Sequence, residues 1–355
     1  MFHGRFVFYT SMPHAGATFV LPVLNQNPDI CVIMLSDEFF FQLAEKTGVE
    51  RTRQNGIRVY YNWLAKVTEN INCVYPLNDA LRLLIYIYPI LCSTPDFPQV
   101  YSARLRSLKQ ITFKDIVLAV YYAKTLCEGK RFDEQFTVLV FDAHSRADAA
   151  FKHRKLIEQF DNVCFLTTIR NPLNTTASSI KGGHYCSKDT MLHLLRPCYF
   201  DYAQSFPEKW KRKFFAIRFE DGKLNPAKTF KTLSNMVGFK YSDIMLESDE
   251  EGLTSRGYPV RGFDLEPVKR SLNDVFSKSD IDYLSAVFEK LMLQYHYISS
   301  PLTDTCHNMS ELFCTAYSSF NIPVCRSDFI EVLESVRQFS ASIDRAYFFP
   351  KLIEV

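Results

Sequence analysis

The sequence has little glycine, with 12 Gly in 355 residues, and none of its 10 cysteines stands in a CxxC pair. The missing pairs argue against a zinc ribbon or a thioredoxin-like redox motif. Cysteines inside apolar runs, as in Ile30-Cys31-Val32-Ile33 and Val163-Cys164-Phe165-Leu166, read as buried free thiols. Charge of one sign is also lacking. Lys+Arg 41 against Asp+Glu 39 gives +2, which excludes a general nucleic-acid coat, so any basic function must be local. No apolar run is long enough to span a bilayer, since the longest, Leu81 to Cys92, is interrupted by Arg82 and Pro89. No apolar h-region precedes the first β-like run, so a soluble, cytoplasmic protein is expected, without a membrane span. GxxxxGK[ST] is absent, which excludes a Walker A loop. There is no internal repeat, no low-complexity tract and no metal-ligand spacing.

What the chain does have is aromatic residues, Phe 31 and Tyr 19, within a hydrophobic fraction of 47%. This predicts a well-filled core and room for an aromatic-lined pocket. Short β-rich runs at Arg5 to Tyr9, Ile30 to Leu35, Phe136 to Phe141, Val163 to Ile169 and Phe214 to Phe219 alternate with helical spacing. The runs are apolar without strict alternation, as in strands buried on both faces of a parallel sheet. Asp148 to Phe160 and Pro226 to Val237 have helical periodicity. The pattern predicts an α/β fold, a three-layer P-loop-like parallel sheet flanked by crossover helices.

Residues 37–129 break this rhythm with helical, aromatic sequence, read either as an insertion covering a substrate or as ordinary core helices. The expected organisation is an α/β domain over 1–298 and a helical C-terminal extension over 299–355. Ile281 to Met292 reads as one amphipathic helix, and Ser327 to Ser340 is the clearest helix of the extension.

The first strand runs into Pro13-His14-Ala15-Gly16-Ala17-Thr18-Phe19. Small residues between a strand and an apolar helix let backbone N–H groups and a helix N-terminus approach an anion. Taken alone, the segment is also compatible with an ordinary strand–turn–helix. The fourth strand runs into Arg170-Asn171-Pro172, where Asn171 suits an N-cap and Pro172 the first helical position. Arg170 then stands at the strand's carboxyl edge, and Ser178 about two turns into the helix. A guanidinium fork and a hydroxyl converging there would grip one phosphate. A structural salt bridge for Arg170 remains the alternative.

Together these segments resemble the sulfotransferases that use 3′-phosphoadenosine 5′-phosphosulfate (PAPS). The 5′-phosphosulfate loop of that family is similar to Pro13 through Phe19, and its 3′-phosphate motif to Arg170-Asn171-Pro172 through Ser178. A further family segment looks like Arg218-Phe219-Glu220-Asp221 followed by Pro226 to Gly238. The motifs occur in family order between Phe6 and Tyr297. The resemblance implies a P-loop-like fold and sulfuryl transfer from PAPS, leaving PAP, to an acceptor hydroxyl on a carbohydrate or small molecule. The Arg-Asn-Pro form points toward carbohydrate by resemblance.

It further implies that Pro13, His14, Ala15, Gly16, Ala17 and Thr18 hold the 5′-phosphosulfate, while Arg170 and Ser178 hold the 3′-phosphate. Arg256 and Arg261, in Thr254 to Gly262, loosely resemble the family's late Arg/Gly loop over that phosphate; a solvated loop fits them equally. His144, after the strand ending at Phe141, stands where the family has a catalytic base. Its bland alternative is a hydrogen-bonding His at a strand end. Lys181-Gly182-Gly183-His184 reads as a surface turn before it reads as an acceptor loop.

Two departures bear on activity. His14 replaces the family's loop Lys or Arg, whose loss could cost several kcal/mol of transition-state stabilisation. Ala17 lacks the hydroxyl of the usual Thr, and Pro22 is awkward in the helix that follows. A bound polyanion would raise the pKa of His14 and restore the charge. The rival readings are a non-catalytic nucleotide- or partner-binding protein on the same fold and a small-molecule P-loop kinase. The latter is opposed by the missing loop Lys and Mg²⁺-binding hydroxyl.

Overall fold

The computed structural model describes residues 2–11, 15–34, 74–82, 94–142, 154–185, 187–195, 208–247, 252–253, 259–260, 263, 265–269, 271–302, 309–342 and 349–354. Its centre is a six-stranded sheet in the order β2-β3-β1-β4-β5-β8. The strands are β1 (Arg5–Ser11), β2 (Ile30–Met34), β3 (Val138–Asp142), β4 (Val163–Ile169), β5 (Phe214–Arg218) and, last in the chain, β8 (Lys351–Leu352). Every pairing among them is parallel. A separate antiparallel pair joins β6 (Gly252–Leu253) to β7 (Pro259–Val260).

Period-two alternation explains why the central strands look continuously apolar. Phe6 and Phe8 lie in one core cluster with Leu139, Phe141 and Phe165. Val7 and Tyr9 lie in the other with Val138, Val140, Cys164 and Leu166. Both faces of the sheet are thus covered, as the sequence predicts. Fully burying a Phe such as Phe6 or Phe8 contributes roughly 1.5–3 kcal/mol.

Helices close both layers. Helix α1 (Ala17–Gln26) runs from β1 to β2 and continues through Pro22. Within residues 37–129, the described part contains helices Leu77–Arg82, α2 (Phe97–Arg106) and α3 (Phe113–Cys127). Thr112 and Asp115 start α3 with a reciprocal capping box. Helices α4 (Pro172–Lys181), α5 (Lys188–Leu195), α6 (Phe219–Leu224), α7 (Pro226–Val237), α8 (Lys278–Val287) and α9 (Arg326–Ser342) follow. Helix α9 packs on α5 and α8, and its Phe329 stacks edge-on against Phe313 at 4.8 Å. Among the described residues, no helix is long and apolar enough to cross a membrane.

Some boundaries differ from the expectation. β3 starts at Val138, and Phe136 is 75% exposed. The N–H groups of Phe136 and Thr137 both bond to Asp133 O, which folds those residues into a turn ahead of the strand. The helix expected over Ile281 to Met292 begins at Lys278, where Ser277 and Asp280 form a capping box. It stops at Val287, and a second helix covers Glu289–Gln294. Phe288 between them has φ −105° and ψ 14°, outside helical geometry.

Candidate active site

Strand order alone locates a crevice. The connection leaving β1 leads to β2 on one side of it, whereas β4, its neighbour on the other side, leads on to β5. The chain therefore diverges between β1 and β4, the switch point where ligands of open α/β sheets bind beyond the strands' carboxyl ends. Ser11 pairs with Thr168 at this edge. Beneath it, Tyr9 and Thr168 share a buried hydroxyl–hydroxyl hydrogen bond of 2.6 Å. Burial, offset partly by that bond and reinforced by the charge of Asp142, pushes the Tyr9 phenol far up. The two strand ends are locked side by side.

From β1 the chain enters the loop that precedes α1. Pro13 and His14 lie outside the described residues; Ala15 is buried, and Gly16 and Ala17 are half-buried. Gly16 takes the N-cap position of α1 in the left-handed region, at φ 97°. Its carbonyl accepts from Phe19 N at 2.9 Å and Val20 N at 3.0 Å. A Cβ there would run into the ring of Phe219. Gly16 is required both by its backbone angle and by that close approach. The Thr18 backbone lies in the first turn of α1, where N–H groups face out of the helix end.

From β4 the chain enters Arg170, Asn171 and α4. Asn171 is the N-cap, as the sequence predicts, with its side chain accepting from Leu173 N at 2.9 Å; Pro172 opens the helix. On the buried face of α4, hydroxyls fold back onto the helix. Thr176 donates to Pro172 O at 2.8 Å, and Ser179 to Thr175 O at 3.0 Å. Ser178 stands on the opposite face. With Arg170, Asn174, Lys181 and Ser271 it lines a small hollow. The two residues assigned to one phosphate are thus brought together.

Arg170 is buried, and two groups aim it toward the hollow. Its Nη2 donates to Pro267 O at 2.8 Å, its Cζ lies 4.9 Å from the Phe219 ring centroid, and it borders the hollow. Phe219 opens α6 directly after β5 and also meets Phe19 of α1 edge-on at 5.7 Å. Lys223, buried on α6, places its ammonium 4.0 Å from the Phe19 centroid and 5.7 Å from that of Phe219. Two cations therefore face one aromatic pair between the loop and the hollow.

The end of β5 is braced in turn. Arg218 grips Asp221 through both forks, Nε to Oδ2 at 2.7 Å and Nη2 to Oδ1 at 2.9 Å. Burial works against the Arg218 charge, but Asp221, Tyr297 and Glu220 outweigh it and raise the group further. Glu220 Oε1 accepts from Asn171 N at 3.0 Å, and its Oε2 accepts from the Tyr297 hydroxyl at 2.8 Å.

His144, Arg256 and Arg261 lie outside the described residues, as do Pro13 and His14. Sequence reasoning gave no role to Phe219, Glu220, Lys223, Ser271 or Tyr297, and took Lys181 for part of a turn. Lys181 was detectable, since it follows Ser178 by one helical turn on the same face. Ser271 and Tyr297 reach the site from far along the chain and leave no local signal.

No family model matches the chain, and no curated protein does. Among solved structures, the chain is similar to the sulfotransferase domain of the Synechococcus PCC 7002 olefin synthase, at 13% identity and TM-score 0.41, over 96% of each chain. It is also similar to the sulfotransferase domain from the curacin biosynthetic pathway, at 10% identity and TM-score 0.41, over 91% of this chain and 100% of that one. A sulfotransferase from Mycobacterium avium follows at 11% identity and TM-score 0.36, over 81% of this chain and 76% of that one.

Proposed function

We propose that the protein is a PAPS-dependent sulfotransferase acting on a carbohydrate or small-molecule hydroxyl. The observation that carries this reading is the hollow that Arg170, which directly follows β4, shares with Ser178 of α4. The residues suit a 3′,5′-bisphosphorylated nucleotide in two respects. The glycine at the head of α1 keeps backbone, not side chain, at the anion end. A guanidinium, a hydroxyl and Lys181 border the second anion position.

When bound, PAPS supplies the activated sulfuryl group. In this reading, backbone N–H groups from Ala15 to Thr18 hold the 5′ end, together with Pro13 and His14. Arg170 and Ser178 hold the 3′-phosphate, with Arg256 and Arg261 closing over it. His144 takes the proton of the acceptor hydroxyl. His14, charged beside a polyanion, takes the place of a permanent loop cation.

A domain over 1–298, a largely helical C-terminal extension over 299–355 that returns β8 to the sheet of that domain, and a cytoplasmic location complete the proposal. Transfer of label from PAPS to an acceptor panel tests it. Label appearing in a hydroxylated acceptor is the expected outcome. His14 in place of the loop cation favours one alternative, a protein that binds the nucleotide without turnover. PAP binding with no transfer to any acceptor would establish that alternative.

A further inference from the structure

Three separate parts of the proposed nucleotide site meet at two consecutive residues, Phe219 and Glu220. The ring of Phe219 fills the space beside Gly16 in the β1 loop and lies under the Arg170 guanidinium. Glu220 reaches the next residue along, accepting the Asn171 N–H at 3.0 Å. That residue follows Arg170 directly and is itself the N-cap of α4, the helix carrying Ser178. The spacing between guanidinium and hydroxyl therefore depends on where this one peptide is held.

Glu220 is itself held. Its second oxygen accepts the Tyr297 hydroxyl at 2.8 Å. Burial, then the charge of Glu220, pushes the Tyr297 phenol well up, so it remains a donor at any working pH. Arg218 lies 5.9 Å from the Tyr297 ring centroid, donates to Tyr295 O at 3.3 Å and grips Asp221. A carboxylate fastened on both oxygens cannot swing away from Asn171. It also lies at the N-terminal end of α4, where a negative charge is favoured.

We propose that Glu220, fixed by Tyr297, is a positioning residue that sets the Arg170–Ser178 spacing and hence the affinity for a 3′-phosphate. It touches neither nucleotide nor acceptor. The proposal rests on the reading of that pair as a 3′-phosphate clamp. Small displacements of a binding group carry large losses, so releasing the Asn171 peptide acts on the phosphate increment more than on the rest of the nucleotide.

The test compares PAP with adenosine 5′-phosphate, which lacks the 3′-phosphate, by calorimetry on wild type, Glu220→Ala, Glu220→Gln and Tyr297→Phe. Wild type should prefer PAP. Glu220→Ala should lose about tenfold of that preference, or ~1.4 kcal/mol, with adenosine 5′-phosphate affinity unchanged. Glu220→Gln retains an acceptor for Asn171 and should retain the preference, and Tyr297→Phe should fall between. An unchanged PAP preference in folded Glu220→Ala, or equal weakening of both nucleotides, overturns the proposal. Tyr297→Phe, which removes one hydroxyl, decides by the same criteria if Glu220→Ala does not fold. A wild type with no preference for PAP would instead overturn the clamp itself, and the positioning role with it.

Discussion

The guanidinium of Arg170 lies 4.9 Å over the ring of Phe219, and that ring occupies the space a Cβ on Gly16 would need. One aromatic side chain therefore sets the distance between the loop after β1 and the residue after β4. The two elements proposed to bind anions, separate motifs in the sequence, share a wall.

The first prediction concerns that wall. Gly16→Ala places a side chain at φ 97° and against Phe219. The left-handed backbone alone costs roughly 1–2 kcal/mol, and displacing the ring adds to it. Urea denaturation should show a lower midpoint with unchanged slope. PAP affinity should fall as well, because Phe219 also supports Arg170. A Gly16→Ala protein as stable as wild type would contradict the packing described here.

A second prediction is about acid stability. Burial works to raise the Glu128 carboxyl, but Lys124 and Lys130 outweigh it and hold the group below its usual range. A depressed carboxylate contributes stability that is fully present above its unfolded value, about 4.3, and is lost as pH falls through the lower folded value. Glu128→Gln should therefore be less stable than wild type at pH 7, and the gap should close in acid. Denaturation curves at several pH values measure this. A gap that stays constant down to acid pH would contradict the assignment.

The two histidines give a third. His144 as base must be neutral while His14 as loop cation must be charged, so the rate should follow a bell-shaped pH profile. His14→Lys should flatten the alkaline limb while preserving or raising the rate. His144→Ala should lose a factor of about 10²–10⁴ with PAP affinity nearly intact. A pH–rate series on wild type and both variants, with one acceptor, checks these roles. A fully active His144→Ala protein would remove His144 from the mechanism.

Much of the sheet was legible because its signals are local. Val163 to Ile169 and Pro226 to Val237 appear with the predicted boundaries, the first a run of β-branched and apolar residues and the second opened by Pro and closed by Gly238 at φ 84°. Asn171 and Pro172 marked the start of α4 for the same reason. β8 was not legible, since two residues at Lys351–Leu352 have no periodicity and exist only through pairing with Phe215 and Ala216. The site divides in the same way. Arg170 and Ser178 lie eight positions apart on one strand–helix unit, so spacing sufficed to put both beside one hollow. The partners Pro267, Ser271 and Tyr297 arrive by tertiary folding, which no window of sequence reports.

The most direct measurement is a calorimetric titration of PAP into wild type and Arg170→Ala. Wild type should bind, and the variant should remain folded but bind more weakly by roughly 1.5–3 kcal/mol, the range for hydrogen bonds to charged groups. Equal PAP affinity in a folded Arg170→Ala protein, or a wild type that does not bind PAP, would contradict the account.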